Sequence, residues 1–519
     1  MPPRVSKIEV GLLLITLLLL FPGLGKVPLW ILDEARNAQC AREMWERKDW
    51  VVPTFNGELR VAKPPLPYYG MIAGFYLLGL NEWGARFFSA ICGLLTLVTT
   101  YYFTARYASK THALLSCCVL LTSTHFLFQM RMAVPDPYLI FFNVLAIFSG
   151  YAYFTGKRLG WLAVCAGALG LGTLAKGPVG MALPALSLLG WLVWLRQWKA
   201  MLHWPVLAAA FLVLLIALPW YLAVHQATNG AWTRGFFWQN NWQRFLNPME
   251  GHGGLFLLVP FFLLLGLLPA SVFIAESLRS FRRRFSHPLL RLAFCVVITF
   301  VAFYSFSATK LPNYPVPAYP FAAILLGDWM QQALTQLTPA KKYPFLILLF
   351  INAALPAALY VALKNEVATQ GLEGNAALLC LLTLAAIAAL WLYYKKGLAA
   401  AFRVLLVSYT LFNVVFFQYL YPAVYLQNPL TQTIGKVRKY QHVVAYKMFQ
   451  PSFAFYLPRR IPVFREASAL KTYMDSHEAV VISRASLMPE IDSLGLRKVA
   501  AHHDLFEDNT TVLYTNAKR

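Results

Sequence analysis

The stretch "LWILDEARNAQCAREMW", residues 29–45, places Asp33, Glu34 and Arg36 within one helical turn of the end of an apolar run. Carboxylates and a guanidinium in that position can orient or deprotonate an acceptor and hold an anionic group. Residue types with similar capacity recur where other apolar runs stop. Lys63 lies in "NGELRVAKPPLPYYG" with Tyr68 and Tyr69, Asp136 in "RMAVPDPYL" and Lys176 in "LAKGP". Arg244 and His252 lie in "NNWQRFLNPMEGHGG", and Lys310 and Tyr314 in "SATKLPNYPVPAYP". Taken singly, each has a plainer explanation. Asp33 and Asp136 can be helix N-caps, Lys176 an end residue that snorkels, and His252 a loop histidine.

What raises these residues above such explanations is the side of the membrane they share. The chain has 519 residues, of which 59% are hydrophobic and 13% charged, with a mean hydropathy of +0.54. That excludes an ordinary soluble protein and indicates a polytopic α-helical membrane protein. Apolar runs long enough to cross a bilayer fall near 9–30, 84–105, 112–130, 137–155, 160–176, 178–195, 204–224, 254–278, 288–308, 314–334, 343–363, 375–394 and 401–422, about thirteen helices. The first reads as a retained signal anchor, since no small-residue cleavage site precedes Asp33.

Basic residues occupy every second connection: Arg4 and Lys7, Arg106 and Lys110, Lys157 and Arg158, Arg196 and Lys199, Arg282 to Arg284, Lys341 and Lys342, Lys395 and Lys396. Positive charge is retained in the cytoplasm, so the N-terminus is expected there and the alternate connections outside. All the residues singled out above then face outward, and ionisable groups at a membrane edge are economical when they share a polar cleft. The formal charge of +23 follows in large part from those retained loops, and no nucleic-acid partner is expected. Of seven cysteines only Cys40 falls outside the expected spans, which excludes a disulfide framework.

Two outward connections are long. In the first, Ala38, Ala41 and Trp45 fall at helical spacing opposite Arg42, Glu46 and Arg47, which predicts an interfacial amphipathic helix. Pro64, Pro65 and Pro67 then predict an extended segment beside Lys63, Tyr68 and Tyr69. The second, residues 225–253, interleaves aromatics with Arg234, Asn240, Asn241, Arg244 and His252 more densely than an aromatic belt requires. Composition divides the chain into a membrane domain, 1–425, and a polar domain, 426–519. In the latter "HVVAYKM", "PVF", "AVVISR" and "DNTTVLYTN" read as strands and "EASALKTYMDSH" as a helix, a small α/β fold on the periplasmic side.

A cleft of mixed carboxylates and cations suits an enzyme that grips a lipid phosphate with Lys and Arg and reserves carboxylates for the reacting centre. Two further classes stand beside it: a flippase or transporter whose outward charges form a vestibule, and a scaffold. Alternating access calls for ionisable residues near the midplane and repeat-related broken helices, neither of which the sequence displays. A scaffold has no need of the prolines, tyrosines and cations clustered at 60–69 and 309–320.

In order along residues 5–325, "LDEARNAQCAREM", "DWVVPTFNGELRVAKPPLPYY", "RMAVPDPYL", "LAKGP", "RF" with "GHGG", and "SATKLPNYPVPAYP" resemble the bacterial GT-C glycosyltransferases of the aminoarabinose lipid A transferase and protein O-mannosyltransferase superfamily. The resemblance implies inverting transfer of a sugar, most closely 4-amino-4-deoxy-L-arabinose, from undecaprenyl phosphate to lipid A. The same chemistry on another glycan or on protein hydroxyls is the alternative. It implies catalytic roles for Asp33 and Asp136, with Glu34 beside them. Donor and substrate contacts fall to Arg36, Lys63, Tyr68, Tyr69, Lys176, Arg244, Lys310 and Tyr314. The implied setting is a multi-pass protein of the inner membrane whose site faces the periplasm. Two positions depart from the family pattern. Ala62 stands where an acid commonly precedes the KPP lysine, so a divalent metal shared with His252 loses one ligand and no cofactor is required. Asn37 stands where an aromatic residue is common.

Overall fold

The computed structural model describes residues 6–30, 32–248, 251, 253–335 and 341–517, with the side chain of Leu32 excepted. Each apolar run of the sequence is helical. Eight helices, Glu82–Tyr107, Asp136–Gly156, Leu159–Lys176, Trp204–Ala227, Pro288–Phe306, Tyr343–Asn365, Glu373–Lys396 and Leu398–Tyr425, are individually long and apolar enough to cross a membrane. Two more spans count if each bent pair is one. Lys7–Leu20, Val179–Trp194 and Tyr319–Leu334 are shorter, at 14, 16 and 16 residues. The chain is a multi-pass membrane protein.

Where the helices depart from the expected runs, the reason is local. The first stops at Leu20, not near residue 30, because Pro22, Gly23, Gly25 and Pro28 follow, with Gly23 at φ +82°. The buried backbone from 19 to 28 then needs donors from elsewhere. Arg131 donates to the carbonyls of Leu19 and Pro22 at 2.6 and 2.8 Å. Arg86 donates to those of Leu24, Val27 and Pro28 at 2.7, 2.8 and 3.1 Å. The run 112–130 is broken into Lys110–Thr122 and Thr124–Met130, bent by 79°, and 254–278 into Leu258–Gly266 and Ala270–Arg283, bent by 114°. The two breaks abut: Ser123 Oγ donates to the Gly266 carbonyl at 2.5 Å and accepts from the Phe126 amide.

A helix forms where an interfacial one is expected, Leu32–Arg47, but Arg42 of its expected polar face is buried under the sheet region. After it, strands β1 (Thr54–Phe55) and β2 (Glu58–Leu59) form a hairpin whose turn, Asn56-Gly57, has positive φ at both residues. Glu43 of the helix accepts from Thr54 Oγ1 and from the amides of Asn56 and Gly57, fixing the hairpin to it. The prolines do not hold the chain extended as far as expected. Pro64 and Pro65 stay outside helical structure, but helix Leu66–Leu78 begins at once, with Pro67 in its first turn, where the missing N–H costs nothing.

Beyond residue 440, β3 (His442–Tyr446), β4 (Val463–Phe464), β5 (Ala479–Arg484), β6 (Arg497–His503) and β7 (Thr510–Thr515) form a sheet of order β4-β3-β5-β7-β6. β3 runs parallel to β4 and β5, while β7 is antiparallel to β5 and β6. β6 is an edge strand that the sequence reading missed, because "RKVAAHH" carries no clear apolar alternation. The sheet region docks on the interfacial helix. Arg42 Nη1 donates to the carbonyls of Phe455 and Leu457, and Asn56 exchanges hydrogen bonds with the backbone of Ile461.

Candidate active site

Two cavities meet at Arg244, which lines both. The first, about 430 Å³, is bounded by Lys63, Lys176, Tyr304, Tyr314 and the aromatic side chains of residues 236–245. The second, about 720 Å³, has Asp33, Arg36 and Glu507 at its polar end and a long apolar wall from helices 343–365 and 398–425.

Lys63 is held in place by the second long loop. Trp232 Nε1 donates to the Arg60 carbonyl at 3.0 Å and Asn240 Nδ2 to the Val61 carbonyl at 3.3 Å. That loop is wound as a π-helix over Gly235–Gln243, and Asn240 and Asn241 each donate back to the carbonyl five residues earlier. Such a wide turn marks functional sites often enough to be informative. Stacking of Trp232 on Phe236, with ring centroids 4.7 Å apart, anchors it. At its end Thr309 Oγ1 donates to the Arg244 carbonyl and the Ala308 amide to the Phe245 carbonyl, so the "SATKLP" segment seats Arg244.

Asp136, at the start of its helix, accepts from Lys176 Nζ at 2.8 Å and from Asn313 Nδ2 at 2.9 Å, both on Oδ1. The Lys176 ammonium also lies 5.6 Å from the centroid of the Tyr314 ring, which stacks near Tyr304. Asp33 is the most open of the carboxylates, its side chain 55% exposed into the cavity, with Arg60 Nη2 4.0 Å from Oδ1. Enclosure by the cleft walls would raise its pKa, but Lys63, Arg60, Arg36 and Arg244 outweigh this and hold it below the ordinary aspartate value. Lys63 moves down as well. Its enclosure, with Lys176 and Arg244 nearby, outweighs the pull of Asp33 and Asp136.

The structure thus gathers Asp33, Arg36, Lys63, Lys176, Arg244 and Tyr314 on the two cavities, with Asp136 behind Lys176. Others go elsewhere. Glu34, expected at the reacting centre, is fully buried and grips Arg86 through both oxygens at 2.7 Å, while Oε1 also accepts from the Ala133 amide. With both oxygens so engaged it lines neither cavity. Tyr68 is buried in the packing between helices 32–47 and 66–78, and Tyr69 donates to the Trp50 carbonyl; neither lines either cavity. Lys310 donates to the Ser307 carbonyl at 2.8 Å, between Ser307 on the first cavity and Leu311 on the second. His252 lies outside the described residues. Among those described, no group of three or more His, Cys, Asp or Glu is placed to hold a metal, and Ala62 lines the first cavity beside Lys63. Arg60 and Asn313 are the polar partners that the sequence reading passed over. Both sit in the same connecting segments as Lys63 and Lys310, and that placement is the signal that finds them.

Fold and cleft together define the class: an integral-membrane glycosyltransferase of GT-C type. Residues 12–234 match the dolichyl-phosphate-mannose-protein mannosyltransferase family. An undecaprenyl phosphate-alpha-4-amino-4-deoxy-L-arabinose arabinosyl transferase of Pseudomonas savastanoi is 30% identical over 374 residues, 70% of this chain and 69% of the relative. A protein of the same name from Pseudomonas paraeruginosa is 34% identical over 316 residues, 59% of this chain and 57% of that relative's length. ArnT from Cupriavidus metallidurans, solved with undecaprenyl phosphate bound, shares the fold with a TM-score of 0.81 over 99% of both chains at 21% identity. This chain belongs to the family of the bacterial aminoarabinose arabinosyl transferases.

Proposed function

We propose that this protein moves 4-amino-4-deoxy-L-arabinose, or a closely related sugar, from undecaprenyl phosphate to a phosphate of lipid A. The supporting observation is Arg244, shared by the two cavities, with the cations of one and the Asp33 carboxylate of the other on either side of it. The first cavity takes the donor phosphate against Lys63, Lys176 and Arg244. The second takes the acceptor, its acyl chains along the apolar wall and its head at Asp33 and Arg36. As the anomeric bond breaks, the lipid phosphate gains a second negative charge, which these cations stabilise. Attack from the opposite face inverts the anomeric carbon without a covalent intermediate.

A phosphate acceptor asks less of Asp33 than a protein hydroxyl does. A hydroxyl nucleophile has to give up its proton to a base as it attacks. A lipid phosphate is already ionised, so Asp33 is free to orient the acceptor and to face the positive charge developing at the anomeric carbon. The basic residues at alternate connections support an inner-membrane orientation with the N-terminus cytoplasmic and the cleft and sheet domain periplasmic. No resident cofactor enters this scheme.

Mass spectrometry of lipid A from cells with the protein, without it and with Asp33→Asn tests the reading. A pentosamine increment present only with the intact protein supports it. Unchanged lipid A, with a lipid-linked sugar accumulating in the deletion, moves the acceptor elsewhere.

A further inference from the structure

A third cavity of about 540 Å³ shares no lining residue with the two at Arg244. It opens where the sheet domain meets the start of helix Glu82–Tyr107, and Arg42, Arg438, Arg459, Tyr456, Leu80 and Glu82 line it, the Glu82 carboxylate being engaged by Tyr456 Oη. Arg42 is buried, with Nε on Glu46 and Nη1 on two carbonyls. Arg438 and Arg459 are exposed, and neither takes part in a salt bridge among the described residues. Exposed Lys436, Lys439 and Arg460 flank them in sequence. In the orientation proposed above these charges lie on the side where cytoplasmic retention gives no account of them. Leu80, 37% exposed, lines the cavity, and the exposed Tyr76, Leu77 and Trp83, at 64%, 66% and 37%, flank it in sequence, an apolar rim just where a spanning helix begins.

We propose that this cavity binds the phosphate headgroup of an anionic phospholipid from the leaflet on the sheet-domain side. Arg438 and Arg459, in no salt bridge among the described residues, over an apolar rim at a membrane boundary match a phosphodiester whose chains remain in the bilayer. A soluble anion makes no use of the rim. The headgroup also acts as a clamp between domains. Arg438 donates to the Tyr456 carbonyl, Tyr456 Oη donates to Glu82 at 2.6 Å, and it accepts from the Leu29 amide at 2.8 Å, four residues before Asp33. Lipid in this cavity therefore steadies the segment that carries the reacting carboxylate.

The test uses the full chain in nanodiscs of phosphatidylcholine with or without phosphatidylglycerol, reading thermal unfolding and lipid retention by native mass spectrometry. Phosphatidylglycerol raises the unfolding temperature, and Arg438→Gln with Arg459→Gln removes that increment and weakens its retention at least about tenfold. The same two positions changed to Lys keep the increment, which separates lost charge from lost folding, and all forms unfold alike in pure phosphatidylcholine. The proposal is overturned if both lipids stabilise equally, if the Gln pair keeps the increment, or if inorganic phosphate in phosphatidylcholine discs reproduces it.

Discussion

Lys176 and Asp136, on successive helices, are joined by a 2.8 Å ion pair whose carboxylate oxygen also receives Asn313 at 2.9 Å. One oxygen thus ties helices 136–156 and 159–176 to the "KLPNYP" segment and aims the lysine along the first cavity. Asp136 is buried and Lys176 is only 15% exposed, so removing one partner leaves the other charge largely uncompensated. Asp136→Asn is expected to destabilise the detergent-solubilised protein by about 3 kcal/mol. Combining it with Lys176→Met should recover part of the loss, a coupling that thermal unfolding of the single and double variants measures. Strictly additive losses would show that the pair does not act as a unit.

Asp33→Asn separates a transferase from a vestibule. Loss of a charge that faces the transition state should lower kcat by about a hundredfold to a thousandfold. Donor binding should hold or tighten, since a negative charge has left the surroundings of Lys63 and Arg244. Turnover and donor retention, assayed on the same purified preparation, check both halves. Unchanged turnover with weakened donor binding would make Asp33 a vestibule charge and remove it from the reacting groups.

The two shifted groups of the cleft set the pH profile. Asp33, held below its ordinary value of 3.8, stays ionised until the pH falls through that lowered value, so it imposes no acid limit on kcat/KM near neutrality. Whatever stability its pairing contributes is present above 3.8 and is lost as the pH falls through the lowered value. Lys63 has the opposite effect. Lowered from 10.5, it loses its proton earlier on the alkaline side and draws the basic limb of kcat/KM down with it. Lys63→Arg, charged throughout, should move that limb upward, and a limb that stays put assigns it to another group.

Much of the architecture is legible in the sequence because an apolar run of membrane length has few alternatives to a helix. Positive charge at every second connection separates two sets of connections, and Asp33, Lys63, Lys176 and Arg244 fall in or beside the other set. What escapes is decided by distant partners. The first helix ends early at the expense of backbone that Arg86 and Arg131 must then satisfy from other helices. Tyr68 and Tyr69 follow the KPP motif closely enough to look like substrate contacts, yet helix 66–78 turns them into packing. The neighbouring acids Asp33 and Glu34 are indistinguishable by composition. Only helical rotation, about 100° per residue, sends one to the cleft and the other to Arg86.

That divergence yields the sharpest test of the assignment. Glu34 and Arg86 form a buried bidentate pair, and Arg86 in turn closes three carbonyls of the chain leading to Asp33. Glu34→Gln leaves the guanidinium buried without its counter-charge, at a cost of about 3 to 5 kcal/mol. The variant should therefore give less folded protein and a lower unfolding temperature. The molecules that do fold should keep kcat within a few-fold of the parent when activity is normalised to folded protein, because no cavity surface has changed. Asp33→Asn should do the reverse, retaining stability and losing kcat. If Glu34→Gln instead unfolds normally and loses turnover as Asp33→Asn does, then Glu34 belongs with the reacting groups and its grip on Arg86 is released during the reaction.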